Sequence, residues 1–174
     1  MNFLPGWERH VVRQKRPNSG CVPTGFEILL RFAAVEGINF DTFQDDFDFD
    51  KDLEPGKNHI NDFQSISHAV NQRYPKVNIC FESFTHGEDK LYFIENYLSR
   101  QQPILLSLSL AHIQINGWHI MVIIGSDQDN LLLFKCMDKN NKPEVISITK
   151  KEIIKIHNQY SGGKDVAYLE STVS

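Results

Sequence analysis

The chain has no long apolar run. Its longest candidate, from Pro103 to Gly125, is broken by polar residues, and it falls short of the ~18–20 apolar residues that span a bilayer. Basic residues are not in excess either, because 18 Lys and Arg face 22 Asp and Glu, which argues against a general nucleic-acid binder. The N-terminus lacks the basic and apolar regions of a signal peptide. We therefore expect no membrane span, no nucleic-acid partner and no secretion.

Cysteine is scarce as well. Cys21, Cys80 and Cys136 are an odd number of thiols without paired spacing, which predicts no disulfide framework and favours a cytoplasmic protein. Cys80 and Cys136 lie inside apolar stretches and are expected to be buried. The histidines show no metal-ligand spacing with one another or with the cysteines, so neither a metal nor another cofactor is expected. The 174 residues suit a single domain, 1–174.

A helix is predicted from about Gly20 to near Gly37, because apolar residues recur there at a 3.6-residue period. Those apolar positions are Val22, Phe26, Leu29, Leu30 and Ala33. Ser19 or Asn18 is the expected N-cap. Cys21 therefore stands at a helix N-terminus. There, free N–H groups and the helix dipole are expected to lower the pKa of its thiol and make it a nucleophile.

The remaining elements place helices first and strands later. Apolar periodicity and two capping boxes, Thr85 to Glu88 and Thr149 to Glu152, predict further helices, and runs of β-forming residues predict strands. The expected helices are 61–74, one beginning at the first capping box, and 149–157; the expected strands are 76–82, 104–110, 118–125, 131–137, 144–148 and 166–169. This order favours an α+β protein with a mostly antiparallel sheet.

An acidic stretch from Asp41 to Asp52 carries phenylalanines between its aspartates. It lacks the glycine and the closing glutamate of a calcium loop, so we interpret it as a solvated loop that its phenylalanines pin to the core. The sequence leaves open whether this loop covers a cleft.

A reactive cysteine needs a base, and His119 is the best-placed candidate. It lies in Gly117-Trp-His-Ile-Met-Val-Ile-Ile-Gly125, a strand pattern bounded by glycines. A helix N-terminus at Cys21 and a strand at His119 can meet at a cleft between the helical and the β part of the fold. Gln14, seven residues before Cys21, is the candidate to place a side-chain amide beside the Cys21 N–H and so form an oxyanion hole.

A third group must orient the imidazole, and Asp138, Asp127 and Asn140 are the candidates. A hairpin with its turn near residue 128 would pair His119 with residue 137, so Asp138 would lie close to the imidazole. Asp127 would lie in the turn, at the far end of the hairpin. We therefore favour Asp138.

Three segments together resemble the papain-like cysteine peptidases, most closely the bacterial branch around the bacteriocin-leader-processing peptidases. They are Gln14 followed by Gly20-Cys-Val-Pro-Thr-Gly25 at a helix start, Gln102-Pro-Ile-Leu-Leu-Ser-Leu108 leading to the His119 strand, and Phe134-Lys-Cys-Met-Asp138 before a strand and a helix. Asp138 is followed by Lys139, where the family often has proline. Gln14 stands one residue further from the cysteine than is usual. The Cys-Gly-Ser-Cys-Trp signature of papain and the cathepsins is absent.

The resemblance implies a papain-like α+β fold. In it, an N-terminal helical half with the nucleophile at a helix N-terminus packs against a mostly antiparallel sheet. It also implies a cysteine hydrolase that attacks an amide bond of a peptide or protein substrate through a triad of Cys21, His119 and Asp138, with Gln14 in the oxyanion hole. Peptidase, isopeptidase and deamidase reactions use the same machinery. Two alternatives stay open, namely an acyltransferase with the same triad and a catalytically silent binding module.

Overall fold

The computed structural model describes residues 2–15, 20–46, 63–114, 118–135 and 144–170. The strands are β1 (Asn2–Phe3), β2 (Ile79–Ser83), β3 (Ile104–Ser109), β4 (Trp118–Ser126), β5 (Asn130–Lys135), β6 (Glu144–Thr149) and β7 (Asp165–Leu169). The helices are α1 (Cys21–Phe32), α2 (Phe63–Arg73), α3 (Gly87–Ser99) and α4 (Lys150–Gln159). None of the described helices is both long and apolar enough to cross a membrane.

One antiparallel sheet organises the fold. Its strand order is β2-β7-β3-β4-β5-β6, and β1 adds to the far end of β4. Every pair among the described strands is antiparallel, which confirms the predicted α+β class. The central strand β3 is buried along its whole length because it has neighbours on both sides and helices on both faces.

The sheet separates two hydrophobic cores. Ile120, Val122 and Ile124 of β4 belong to the core that contains α1 and α2. Met121 and Ile123 belong to the core that contains α3 and α4. This is the alternation expected of a strand covered on both faces. The N-terminal helices therefore pack against the sheet as predicted, and a second helical layer covers its other face.

The C-terminal end of α1 differs from the prediction. The helix ends at Phe32 rather than near Gly37, and Ala34 takes a left-handed conformation with φ of 50°. The Ala34 N–H bonds the Arg31 carbonyl at 3.2 Å, and the Val35 N–H bonds the Leu30 carbonyl at 3.5 Å. This is the Schellman pattern. Val35 packs against the core. This apolar contact favours the left-handed conformation of Ala34, at a position where glycine is the usual residue.

Helix starts were predicted with mixed success. The capping box at Thr149 is confirmed, because its side chain accepts the Glu152 N–H at 3.1 Å. The one at Thr85 is wrong: α3 begins at Gly87, whose N–H donates to Asn158 of α4 at 2.8 Å. For α1 the N-cap residue is Gly20, which makes no side-chain cap bond; the expected caps Ser19 and Asn18 lie outside the described residues.

Candidate active site

Cys21 is the first residue of α1, and its side chain is half-buried. The backbone N–H groups of Ile120, Val22 and Cys21 itself face its sulfur and lower the pKa of the thiol, but burial outweighs them and raises that pKa above its ordinary value. The predicted reduction of the thiol pKa is therefore wrong. The helix N-terminus does supply N–H donors, but it supplies them where α1 meets the sheet and the sulfur loses contact with water.

Close packing of α1 on the sheet brings the sulfur to β4. A methyl group on Gly25 would lie 3.0 Å from Leu105 Cδ2 and 3.4 Å from Ile120 Cγ2, so glycine lets the helix approach at this point. The N–H of a strand residue points within the plane of its sheet. A sulfur that faces the Ile120 N–H therefore lies beside the β4 backbone, at the residue that follows His119.

His119 is buried, with 6% of its surface exposed. It follows the alternation of β4 onto the face of Met121, and its strand partner Leu108 belongs to the same core as Met121. Burial, assisted by the positive charge of Lys135, lowers the pKa of the imidazole to about 4. At neutral pH both the imidazole and the Cys21 thiol are therefore uncharged.

The two candidate catalytic groups are not hydrogen-bonded to each other. Cys21 packs against the core of α1 and α2, whereas the His119 position of β4 faces the core of α3 and α4. Among the described residues no bond joins the Cys21 thiol to the His119 ring, and His119 Nε2 is buried with no hydrogen-bond partner. Leaving a buried polar atom unbonded costs about 1–3 kcal/mol. The structure does not join the two groups, and their pairing stays a prediction.

The hairpin register agrees with the one used to choose the orienting acid. Met121 pairs with Lys135, which is the register on which that choice was based. Asp138 and Asn140 themselves lie outside the described residues, so Asp138 stays a prediction. Asp127 has a different role: its Oδ1 accepts the N–H groups of Asp129 at 3.0 Å and Asn130 at 2.8 Å. It therefore organises the turn at the other end of the hairpin.

Gln14 lies in an extended segment, residues 11–15, that runs past the start of α1. The preceding residues Val11 and Val12 pack against the same core as Cys21. Gln14 is half-buried, and its Oε1 atom is shielded from solvent. The segment is thus held close to the nucleophile's helix, and the oxyanion role of Gln14 stays a prediction.

Two features of the site region were not foreseen. Gln44, in the loop interpreted as solvated, is 3% exposed, whereas the burial of Phe43 beside it agrees with the expectation that phenylalanines pin this loop to the core. The only sequence signal was an uncharged amide next to a phenylalanine within an acidic stretch. Cys80, expected to be buried, is half-exposed because β2 is an edge strand. Burial and then the charge of Glu170 raise the pKa of its thiol. Cys136 lies outside the described residues.

No group of three acidic, histidine or cysteine side chains that could hold a metal ion occurs in the part of the chain that the structure describes. Cys21 and Cys80 are free thiols. The site chemistry that the described residues offer is therefore a thiol, an imidazole and backbone N–H donors, which is the inventory of a thiol-dependent acyl transfer.

Comparison with known proteins places the chain in a family. The model of the Peptidase_C39 like family matches residues 8–167, and the chain belongs to that family. The fold is similar to the crystal structure of a proposed C39-like peptidase from Bacillus anthracis, with a TM-score of 0.66 and 12% sequence identity over 99% of this chain and 100% of that one. No curated protein matches the chain. The papain-like relationship inferred from the motifs is thereby confirmed.

Proposed function

We propose that this protein is a cysteine hydrolase that cleaves amide bonds of a peptide or protein substrate. One observation carries the proposal. The Cys21 sulfur lies at the N-terminus of α1, faced by the backbone N–H groups of Cys21, Val22 and Ile120, the residue that follows His119 on β4. Membership of a peptidase-like family supports the same reaction class.

In the proposed reaction the Cys21 sulfur attacks the carbonyl carbon while its proton passes to His119. The Cys21 N–H and the Gln14 side-chain amide stabilise the oxyanion. The C–N bond then breaks as His119 returns the proton to the leaving amine, and water hydrolyses the thioester with the same base. Asp138 orients the imidazole through Nε2, the ring atom that has no partner among the described residues.

The charge state of the free site shapes this mechanism. With the pKa of the thiol raised and the pKa of His119 lowered to about 4, the site does not start as a thiolate–imidazolium pair. His119 starts neutral and is therefore able to take the thiol proton as a general base. The free thiols of Cys21 and Cys80 suit the reducing cytoplasm that the cysteine count favours.

The experiment is digestion of a cell-derived peptide library, read by mass spectrometry. The wild-type protein should create new peptide termini, and Cys21→Ser should create none, whereas Cys80→Ser should match the wild type. Deamidated glutamines without new termini would point to a deamidase, and amine adducts to an acyltransferase. Identical spectra from the wild type and Cys21→Ser, with a folded protein, would contradict the proposal and leave a binding module.

A further inference from the structure

One buried side chain holds the segment that carries Gln14. Gln44 lies in a short 3-10 turn, Phe43–Asp45. Its Oε1 accepts the Lys15 N–H at 3.1 Å, and its Nε2 donates to the Arg13 carbonyl at 3.1 Å. A single amide thus bonds the backbone on both sides of Gln14, as a neighbouring strand would. None of the described strands pairs with residues 11–15. Gln44 therefore supplies backbone hydrogen bonds of the kind that a neighbouring strand would provide.

The same amide is joined to α1. Gln44 Nε2 also donates to Glu27 Oε2 at 2.7 Å. Glu27 is buried and is bound in turn by Arg31, with the Nη2 to Oε1 distance being 2.8 Å. Thr24 Oγ1 lies 3.0 Å from Gln44 Oε1 and 2.6 Å from the Gly20 carbonyl, and its one hydrogen serves one of these acceptors at a time.

Gln44 therefore ties the Gln14 segment to the first turns of the helix that begins at Cys21. Both hydrogens of its amide are used, one on each element. An oxyanion donor works only when it lies about 2.7–3.1 Å from the developing charge, and a misplacement of about 1 Å can cost about 10²-fold in rate. The amide that sets the relative position of Gln14 and Cys21 is thus placed to control transition-state binding without reaching the substrate.

We propose that Gln44 is a positioning residue of the oxyanion hole. It acts only through Gln14, whose backbone it fixes relative to Cys21. This inference rests on the proposed function, because it requires Gln14 to be an oxyanion donor.

The test compares two reagents that label Cys21 by different chemistry. p-Nitrophenyl acetate acetylates the thiol through an oxyanion: a sulfur–carbonyl bond forms, p-nitrophenolate leaves, and the thiol proton passes to the base. Iodoacetamide alkylates the sulfur by displacing iodide, with no oxyanion. All proteins carry Cys80→Ser and Cys136→Ser, so that Cys21 is the only thiol. The ratio of the acetylation rate to the alkylation rate then isolates the oxyanion hole from thiol reactivity.

Gln44→Met, of similar length but without hydrogen bonds, should lower this ratio about 10–10²-fold. Gln14→Ala should lower it about 10²–10³-fold, and the double variant should fall no further than Gln14→Ala alone, because the two act through one group. Asn71→Leu is the matched control. Its amide bonds the N–H and the carbonyl of Ile79, both at 2.8 Å, far along the chain from the site, and its loss should leave the ratio unchanged.

A Gln44→Met protein that folds and keeps the wild-type ratio would overturn the positioning role, provided that Gln14→Ala lowers the ratio. If Gln14→Ala also leaves the ratio unchanged, the proposed oxyanion hole itself fails, which separates the two failures. Should Gln44→Met not fold, Gln44→Asn takes its place. It keeps an amide that is too short to reach both elements, and its ratio should still fall; an unchanged ratio overturns the role.

Discussion

At its Ser126 end β4 is closed by local hydrogen bonds. At its His119 end it carries a buried imidazole, and the N–H of the next residue, Ile120, faces the half-buried thiol of Cys21. The carboxylate of Asp127 accepts backbone N–H groups across the turn, and these bonds hold the pKa of this exposed carboxyl below its usual range. Gly125 lets β1 pass so close that a methyl group there would lie 2.5 Å from the Asn2 carbonyl oxygen. The Asp127 bonds therefore stabilise the turn between β4 and β5, and Gly125 allows β1 to pair with β4.

The His119 end has the opposite character. Burial shifts the pKa of His119 and that of Cys21 toward their neutral forms, and Nε2 has no partner among the described residues. These features cost folding free energy rather than supply it. The difference teaches that one strand of uniform apolar pattern can gain stability at one end and lose it at the other, and the costly end is the one that carries the proposed base.

The largest expected difference between the two ends is in reactivity. His119→Ala should slow acetylation of Cys21 by p-nitrophenyl acetate at pH 7 about 10²–10⁴-fold, because a general base is lost. Asp127→Ala should leave the rate near that of the wild type, since its carboxylate serves the turn. Asp138→Asn should fall between them, because an orienting acid usually costs less than the base. Rates are followed by p-nitrophenolate release, and a large loss at Asp127 with none at Asp138 would show that the wrong acid was chosen.

The second difference is in the pH dependence of stability. The pKa of His119 is about 4 in the folded protein and about 6.5 in an unfolded chain, so the unfolded state binds more protons between these values. The stability of the protein is therefore unaffected by this titration above pH 6.5 and falls as the pH drops toward 4, by about 3 kcal/mol at most.

Urea unfolding at pH 7 and pH 4.5 measures this loss, and His119→Gln should reduce it. His68→Gln, at an exposed position of α2, is the matched control and should retain the wild-type difference. An equal acid loss in the wild type and His119→Gln would mean that the imidazole is not buried in its neutral form.

The smallest difference separates two glycine-to-alanine substitutions. Gly125→Ala should lower the free energy of unfolding by about 1–3 kcal/mol, because the new methyl group meets backbone atoms of β1 that cannot turn aside. Gly25→Ala meets only the side-chain ends of Leu105 and Ile120, and the helix gains about 1 kcal/mol from alanine. Its stability should therefore change little.

Gly25→Ala should nevertheless slow the acetylation of Cys21, because the shift of Leu105 and Ile120 that admits the new methyl group alters how α1 packs on β4, whereas Gly125→Ala should leave that rate unchanged in folded protein. Thermal unfolding and acetylation rates, measured on the same samples, give both values. The reverse outcome, with activity lost at Gly125 and stability lost at Gly25, would contradict the assignment of the two ends.

Local patterns predicted much of the fold and part of the site. The period-2 pattern around His119 and the turn near residue 128 gave the β4–β5 register, now seen in the pairing of Met121 with Lys135. The helix start at Cys21 followed from a local apolar period. Thr149 caps α4 because both partners of its bond lie within one turn.

Long-range contacts decided the rest. At the start of α3 the Gly87 N–H bonds Asn158, which lies 71 residues further along the chain, and Thr85 does not cap the helix. Gln44 bonds residues 17 and 31 positions away, on two different elements, and a sequence shows no such pairing. The pKa of Cys21 depends on how closely α1 packs against β4, which a helix-start rule does not include. Desolvation of a group is a property of the folded surroundings.

The pH dependence of Cys21 acetylation tests the central claim most directly. If His119, with a pKa of about 4, takes the proton from a neutral thiol, the wild-type rate should stay level from about pH 5 to pH 8 and fall below about pH 4. In His119→Ala only the thiolate reacts, so the rate should drop about tenfold for each pH unit below the thiol pKa. A wild-type rate that follows the same slope as His119→Ala through this range would contradict the role of His119 as the base.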